Sequence, residues 1–248
     1  MHISIAGKGG TGKTTLAALL IKYLLATGKS PVLAVDADPN ANLGEALGLE
    51  PRAMVSEILS EIKTSKELPG GMTKDMYIEY RLASSLAEGK SVDLLAMGGP
   101  EGPGCYCYPN DILKRYLGRL SANYPYLVMD NEAGLEHLSR RVAQDVDVMI
   151  VTSDPTVRGI RSARRIKDLV ESLDLEVERV WLVLAKVREG DIEALSPEIA
   201  GCGIELAGWV PYDDAIVAND LEGKPLIDLP FEASSVRAVF DIASKTGI

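Results

Sequence analysis

The chain has 248 residues, 46% hydrophobic and 25% charged, with a formal net charge of −10 and a pI near 4.8. The length fits one α/β domain, though length alone would also permit two; the proportions are those of a soluble globular protein, and the acidic balance argues against nonspecific nucleic-acid binding and adhesion to an anionic membrane. No apolar run approaches the roughly 20 residues that span a bilayer, the first residues enter a strand with no signal segment, and three cysteines form no secreted disulfide framework, so a cytoplasmic protein is expected.

His2–Ala6 reads as a short buried strand, and Thr14–Thr27 as an apolar helix. Between them lies Gly7-Lys8-Gly9-Gly10-Thr11-Gly12-Lys13-Thr14, a match to the phosphate-binding pattern G-x-x-x-x-G-K-[ST]. In such a loop glycines let backbone N–H groups close on phosphate oxygens, the lysine reaches the β- and γ-phosphates, and the hydroxyl holds Mg²⁺. Gly9, Gly10, Thr11, Gly12, Lys13, Thr14 and Thr15 are therefore the expected nucleotide contacts. Lys8 is an extra cation that cradling the phosphates does not require.

Apolar runs then alternate with helical patterns. Val32–Val35 closes on Asp36, Val92–Ala96 on Gly98-Gly99, Tyr126–Met129 on Asp130, and Val146–Val151 on Thr152; Val180–Leu184 and Leu206–Val210 follow. Thr156–Leu173 keeps a helical spacing of Ile160, Ala163, Ile166, Leu169 and Val170. Alternation of this kind predicts a doubly wound, mostly parallel sheet with helices on both faces, and ligands at the carboxyl ends of the strands. Residues 50–90 are more polar and helical with a break at Pro69-Gly70-Gly71, and read as an insertion in a single domain spanning 1–248.

Two carboxylates, Asp36 and Asp38, follow the second strand, and Asp130 ends another. Near a phosphate loop, such groups can hold Mg²⁺ or position an attacking water. Cys105-Tyr106-Cys107 sits among Gly102, Pro103 and Gly104. In extended chain, cysteines at i and i+2 face the same way. Two thiolates are too few for a structural tetrahedral site, but a two-fold dimer supplies four. Zn²⁺, Cu(I), an iron–sulfur cluster or flattened Ni²⁺ would all suit them. Cys202 stands alone and reads as structural.

The spelling Lys8-Gly9-Gly10-Thr11-Gly12-Lys13-Thr14 resembles the deviant phosphate loop of the MinD and nitrogenase iron protein superfamily of ATPases. That resemblance implies that Lys8 crosses a homodimer interface to the partner's nucleotide. It makes Lys8, Lys13 and Asp38 the catalytic candidates, with Asp38 acting on the attacking water. Asp36-Ala37-Asp38-Pro39-Asn40 resembles switch I, and Tyr126–Asp130 with Asn131-Glu132-Ala133-Gly134 resembles the Walker B strand and switch II. Mg²⁺ would be held by Thr14, Asp130 and Asp36, the carboxylates directly or through water. Relatives carry Asn-Lys-Val where this chain has Ala185-Lys186-Val187, so the asparagine that reads adenine is missing. Lys186, with Pro211 and Tyr212 of the Val210–Asp213 segment, is then the expected base-contacting set.

The phosphate loop, the C-x-C pair and Asp130-Asn131-Glu132-Ala133-Gly134-Leu135-Glu136-His137-Leu138 together resemble the CooC-type nickel-insertion ATPases that serve carbon monoxide dehydrogenase and acetyl-CoA synthase. The resemblance implies a slow, dimerisation-dependent ATPase that uses ATP/ADP and Mg²⁺. It would hold Ni²⁺, or Zn²⁺ in its place, between Cys105 and Cys107 of both subunits and deliver it to the apo-enzyme, with no nucleic-acid or membrane partner. His137, at the start of a helical segment, fits a structural or switch II role. The alternatives are an iron–sulfur electron-transfer protein like nitrogenase iron protein, which lacks a counterpart here for a cysteine after Asp130, and a MinD-like positioning ATPase without metal.

Overall fold

The computed structural model describes residues 1–64, 69–99, 115–132, 145–172 and 175–248. The C-x-C pair, Gly134 and His137 lie outside them.

Eight strands form one sheet: β1 (His2–Gly7), β2 (Val32–Ala37), β3 (Ala87–Glu88), β4 (Val92–Ala96), β5 (Tyr126–Asn131), β6 (Asp145–Ser153), β7 (Glu176–Val187) and β8 (Glu205–Pro211). Their spatial order is β3-β4-β2-β5-β1-β6-β7-β8. Every pairing is parallel except the short antiparallel edge between β3 and β4. Buried strands with apolar residues on both faces are what a parallel sheet requires, and β2 is buried at all six positions.

Alternate strand residues feed opposite layers. Ile3 and Ile5 of β1, Ala34 of β2 and Val128 of β5 pack with α1 (Lys13–Ala26) and the final helix, Ser234–Thr246. Leu33, Val35 and Met129 point the other way, onto the helices Val55–Thr64 and Lys74–Ser85. On that same side, at the other half of the sheet, the helices Val157–Ser172 and Asp191–Gly201 cover Met149, Val151, Leu182 and Leu184. The polar stretch read as an insertion thus supplies one half of that covering layer. Its buried residues, Ile58, Ile62, Ile78 and Leu82, sit at helical spacing, and its polarity belongs to the opposite faces.

The Ser234–Thr246 helix buries Val236, Val239, Ile242 and Ala243 against β8 and α1. Cys202 is buried, its Sγ lying 3.7 Å from the Ile160 carbonyl, and burial pushes its thiol pKa up; this is the structural role expected. Among the described residues no helix is long and apolar enough to cross a membrane.

If residues 55–85 are a structural layer, Leu82→Ala, at a fully buried position, will cost about 2–5 kcal/mol in urea unfolding. Tyr80→Ala on the exposed face of the same helix will stay within about 0.5 kcal/mol.

Candidate nucleotide and metal site

The parallel sheet brings the carboxyl ends of β1, β2, β5, β6, β7 and β8 to one rim, and the phosphate loop leaves β1 there. Gly7 admits the close approach of β1 and β6: a Cβ on it would fall 2.2 Å from Thr152 Oγ1 and 2.8 Å from Thr11 Oγ1. Those two hydroxyls are hydrogen-bonded to each other at 2.7 Å. Thr11 N–H donates to the Lys8 carbonyl at 3.3 Å, and its hydroxyl lies 2.7 Å from that carbonyl. Gly10 and Gly12 both take φ near 80°, the left-handed region that glycine enters without penalty, and Gly12 leads directly into α1.

The loop therefore has a pinned inner side and an open outer side. Thr11 and Lys13 are buried, while Lys8, Gly9 and Gly10 are exposed. The Lys8 side chain stands in solvent although its carbonyl is held by Thr11. From the far end of β7, Lys186 reaches back and donates from Nζ to the Gly10 carbonyl at 2.9 Å. Its own φ is 62°, at an irregularity in the β7–β8 ladder between Ala185 and Val187. Non-glycine residues rarely occupy that region, and such strain clusters at functional sites.

A cleft of about 590 Å³ opens above this loop, lined by Gly9, Gly10, Gly12, Lys13, Thr14 and Thr15 on one side, with Asp38, Pro39, Asn40, Asn42, Glu132 and Lys186 around it. Asp38 is both a cleft residue and a turn residue, because its Oδ1 accepts from Asn40 N–H at 2.9 Å and Asn40 Nδ2 at 2.8 Å. Asp36 lies beneath, fully buried. Its Oδ1 accepts from Asp38 N–H at 3.1 Å and its Oδ2 from Leu43 N–H at 2.7 Å. Both oxygens are thus engaged with the backbone of the segment that carries Asp38, and Asp36 anchors that segment.

Asp130 is held differently. The β2–β5 register sets it opposite Asp36, and the β1–β5 register opposite Ile5. Its Oδ2 accepts from the Thr14 hydroxyl at 2.6 Å, while its Oδ1 is buried with no hydrogen-bond partner among the described residues. A buried carboxylate oxygen left unpaired is costly, and a hard divalent cation with its waters is the group that would satisfy it. Thr14 and Asp130 therefore fit Mg²⁺, which when bound to nucleotide neutralises charge on the β- and γ-phosphates.

Sequence reasoning passed over two contributors. Thr152, seen only as the end of a strand, holds Thr11 in place. Asn131 is buried and donates from Nδ2 to Ser4 Oγ at 2.9 Å and to the Ile5 carbonyl at 2.8 Å, fixing the end of β5 against β1. A polar residue at the carboxyl end of a parallel strand was the available signal for both.

A second, smaller cavity of about 90 Å³ adjoins the loop. Gly12, Thr15 and Lys186 belong to both cavities. The rest of this one is a mostly apolar slot, with Leu16, Leu19, Val183, Ala185, Val210, Pro211, Tyr212, Ile216, Val217 and Val239 beside Thr152 and Asp213. The expected phosphate contacts and the expected base contacts thus meet at one rim.

Comparison with known proteins accounts for this arrangement. Residues 3–226 match the CobQ/CobB/MinD/ParA nucleotide binding domain. The chain belongs to that family. An uncharacterized ATP-binding protein of Methanocaldococcus jannaschii is 43% identical over 248 residues, covering 99% of this chain and 98% of that protein. The carbon monoxide dehydrogenase accessory protein CooC of Rhodospirillum rubrum is 32% identical, covering 92% and 90% of the two chains. Among solved structures, the MinD cell division protein of Aquifex aeolicus superposes with a TM-score of 0.71 at 25% identity, covering 98% of this chain and 94% of that one. As a family member this is a nucleotide-binding P-loop protein of the MinD/ParA fold.

Burial dominates the acidity of the two aspartates. It raises Asp36 to about 6, against opposing hydrogen bonds from Leu43 and Asp38 N–H. Asp130 rises to about 7, burial again leading, with the Thr14 hydroxyl and Lys13 opposing and the nearby Asp36 and Asp38 charges adding. Both values exceed that of a free aspartate, so the folded chain binds more protons than the unfolded one between about pH 4 and 7. Their stabilising contribution is complete below about pH 4 and is lost as pH rises through 6 to 7. In Asp130→Asn, the fall in Tm of the metal-free protein between pH 5 and 8 will be shallower, and stability at pH 8 higher by on the order of a few kcal/mol. Mg²⁺-nucleotide affinity will drop in the same variant, which calorimetry can measure.

Proposed function

We propose that the protein is an ATP-dependent metallochaperone. In this reading a cytoplasmic homodimer closes over ATP and Mg²⁺, captures one Ni²⁺ between Cys105 and Cys107 of both subunits, and passes it to an apo carbon monoxide dehydrogenase or acetyl-CoA synthase. The observation that carries the reading is the pairing of a divided phosphate loop with a thiolate pair in one chain. The loop is held rigid on its inner side, yet offers the Lys8 side chain outward to solvent. The Cys105-Tyr106-Cys107 segment lies between β4 and β5 in sequence. Likeness to CooC over most of both chains supports the same client class.

Phosphoryl transfer depends mainly on positioning and charge neutralisation, and a cation supplied late by a partner contributes about 10³–10⁵ in kcat in other NTPases. An exposed Lys8 suits that role. In this reading Lys13, buried beside the cleft, would meet the bound phosphates, and Asp38, at the cleft wall, would act on the attacking water. Hydrolysis would then be slow in the monomer and would rise on dimerisation, and Pro211, Tyr212 and Lys186 would sit at the base end of the nucleotide.

Two measurements test this. Titration of reduced, metal-free protein with Ni²⁺ in the presence of ATP, followed by native mass spectrometry, is expected to show one ion per dimer. The Cys105→Ser/Cys107→Ser double variant should bind none; retained stoichiometric binding, or a broad absorption band of an iron–sulfur cluster in the anaerobically purified protein, would sink the nickel assignment. Lys8→Ala is expected to lower steady-state hydrolysis by on the order of 10³ while nucleotide affinity stays within about fivefold, and unchanged hydrolysis would remove the cross-dimer role.

A further inference from the structure

The exits of β2 and β5 carry matched acids. The strands run parallel with Asp36 opposite Asp130 and Ala37 opposite Asn131, and the next residues of the two are Asp38 and Glu132. Each strand therefore ends in carboxylates at i and i+2. The inner pair, Asp36 and Asp130, is fully buried, and the outer pair, Asp38 and Glu132, lines the phosphate cleft. Asn131, bonded to Ser4 Oγ and the Ile5 carbonyl, fixes the point at which Glu132 leaves the sheet.

In each pair the β2 member is served by its own segment. Asp36 accepts from two backbone N–H groups, and Asp38 Oδ1 accepts from Asn40 N–H and Nδ2. The β5 members are not. Asp130 keeps one buried oxygen without a partner among the described residues. Glu132 is half-buried and makes no hydrogen bond or ion pair with any described residue. Its place is also an unfavourable one for a carboxylate, because bound phosphates would bring more negative charge to the same cleft. The cations that line the cleft are Lys13 and Lys186. Lys13 is the lysine of the phosphate loop, and Lys186 donates to the Gly10 carbonyl at 2.9 Å. Lys8 stands outside that lining, exposed, and forms no ion pair with any described residue.

We infer that Glu132 receives the ammonium of Lys8 of the partner subunit, so that an unmatched carboxylate and an unmatched cation on each copy are paired crosswise when two copies close over nucleotide. The inference rests on the homodimer reading above and adds the residue that positions the incoming lysine. Two-fold symmetry makes the contact reciprocal, with each subunit giving Lys8 and receiving at Glu132. A lone exposed ion pair contributes little to association. An ammonium that meets Glu132 and bound phosphates together is held by both, which ties dimerisation to nucleotide.

The test is native mass spectrometry and sedimentation of the full-length chain with Mg²⁺ and AMPPNP, under which the parent should dimerise. Lys8→Glu alone and Glu132→Lys alone set like charges face to face, and each should weaken dimerisation by at least about tenfold. In an equimolar mixture of the two, both crosswise contacts of the mixed dimer join opposite charges. That dimer, identified by a tag that lengthens one variant, should associate at least about tenfold more tightly than either variant with itself. Glu176→Lys, an exposed change at the amino end of β7, should give Lys8→Glu no such rescue. The inference is overturned if Glu132→Lys dimerises like the parent, if the mixture is no better than its components, or if Glu176→Lys rescues equally. Should circular dichroism show that a charge reversal disturbs the fold, Lys8→Gln and Glu132→Gln give the same answer. The double neutral variant should dimerise within about threefold of either single one, and full additivity overturns the pair. If Lys8→Glu also dimerises like the parent, or the parent does not dimerise, the cross-dimer reading fails with the inference. A strong Lys8 effect beside a silent Glu132 strikes the inference alone.

Discussion

Two carboxylates and a lysine share a volume from which water is excluded, and the organisation of the site follows from that constraint. Asp36 and Asp130 are fully buried on adjacent parallel strands, with Lys13 almost as deep. Burial of like charges is unfavourable unless partners compensate. Asp36 is compensated from within the chain by two backbone N–H groups of the segment leading to Leu43. Among the described residues, Asp130 receives only the Thr14 hydroxyl, and its other oxygen has no partner. The two carboxylates therefore differ: one holds the chain that carries Asp38, and the other has an oxygen that a cation would satisfy.

The same tension explains how stability and function are opposed here. A chain without metal lowers its energy by protonating these aspartates, whereas a bound divalent cation favours the ionised forms. The apo-protein therefore gives up stability at neutral pH to keep a site ready for metal and nucleotide, as functional sites commonly do. The cost is absorbed by the layers around the sheet. The helices at Val55–Thr64 and Lys74–Ser85 close one face beneath β2 and β5, and α1 with the final helix closes the other. The framework must be rigid for the rim to hold its geometry, and Thr11–Thr152 and Asn131–Ser4 tie the loop and β5 to strands already locked in register.

The outer side of the loop has the opposite character. Lys8, Gly9 and Gly10 are exposed, with the Lys8 carbonyl held by Thr11 and the Gly10 carbonyl by Lys186. The exposed cation, the phosphate cleft and the apolar slot thus occupy successive stretches of one rim.

Much of this was legible in the residues. The glycine spacing between a buried strand and an apolar helix, together with the alternation of apolar runs and helical periodicity, specified the loop and the parallel sheet, because both are local consequences of backbone conformation and of period. Carboxylates closing strands pointed to the carboxyl rim. Residues 50–90 read as polar and helical, and the helices Val55–Thr64 and Lys74–Ser85 lie there, but their polar outer faces masked a buried stripe, and the two-residue strand Ala87–Glu88 is too short to carry a pattern. What the chain alone did not decide was order and partnership. Nothing local says that β5 lies between β2 and β1, yet that order sets Asp130 beside Asp36 and within reach of Thr14. Nor does any motif tell which strand ends meet: Lys186 reaches Gly10, and Thr152 reaches Thr11, across 176 and 141 residues of chain. Local sequence determines which chemistry each strand end carries; the stacking of strands by long-range packing decides which of those ends share a site.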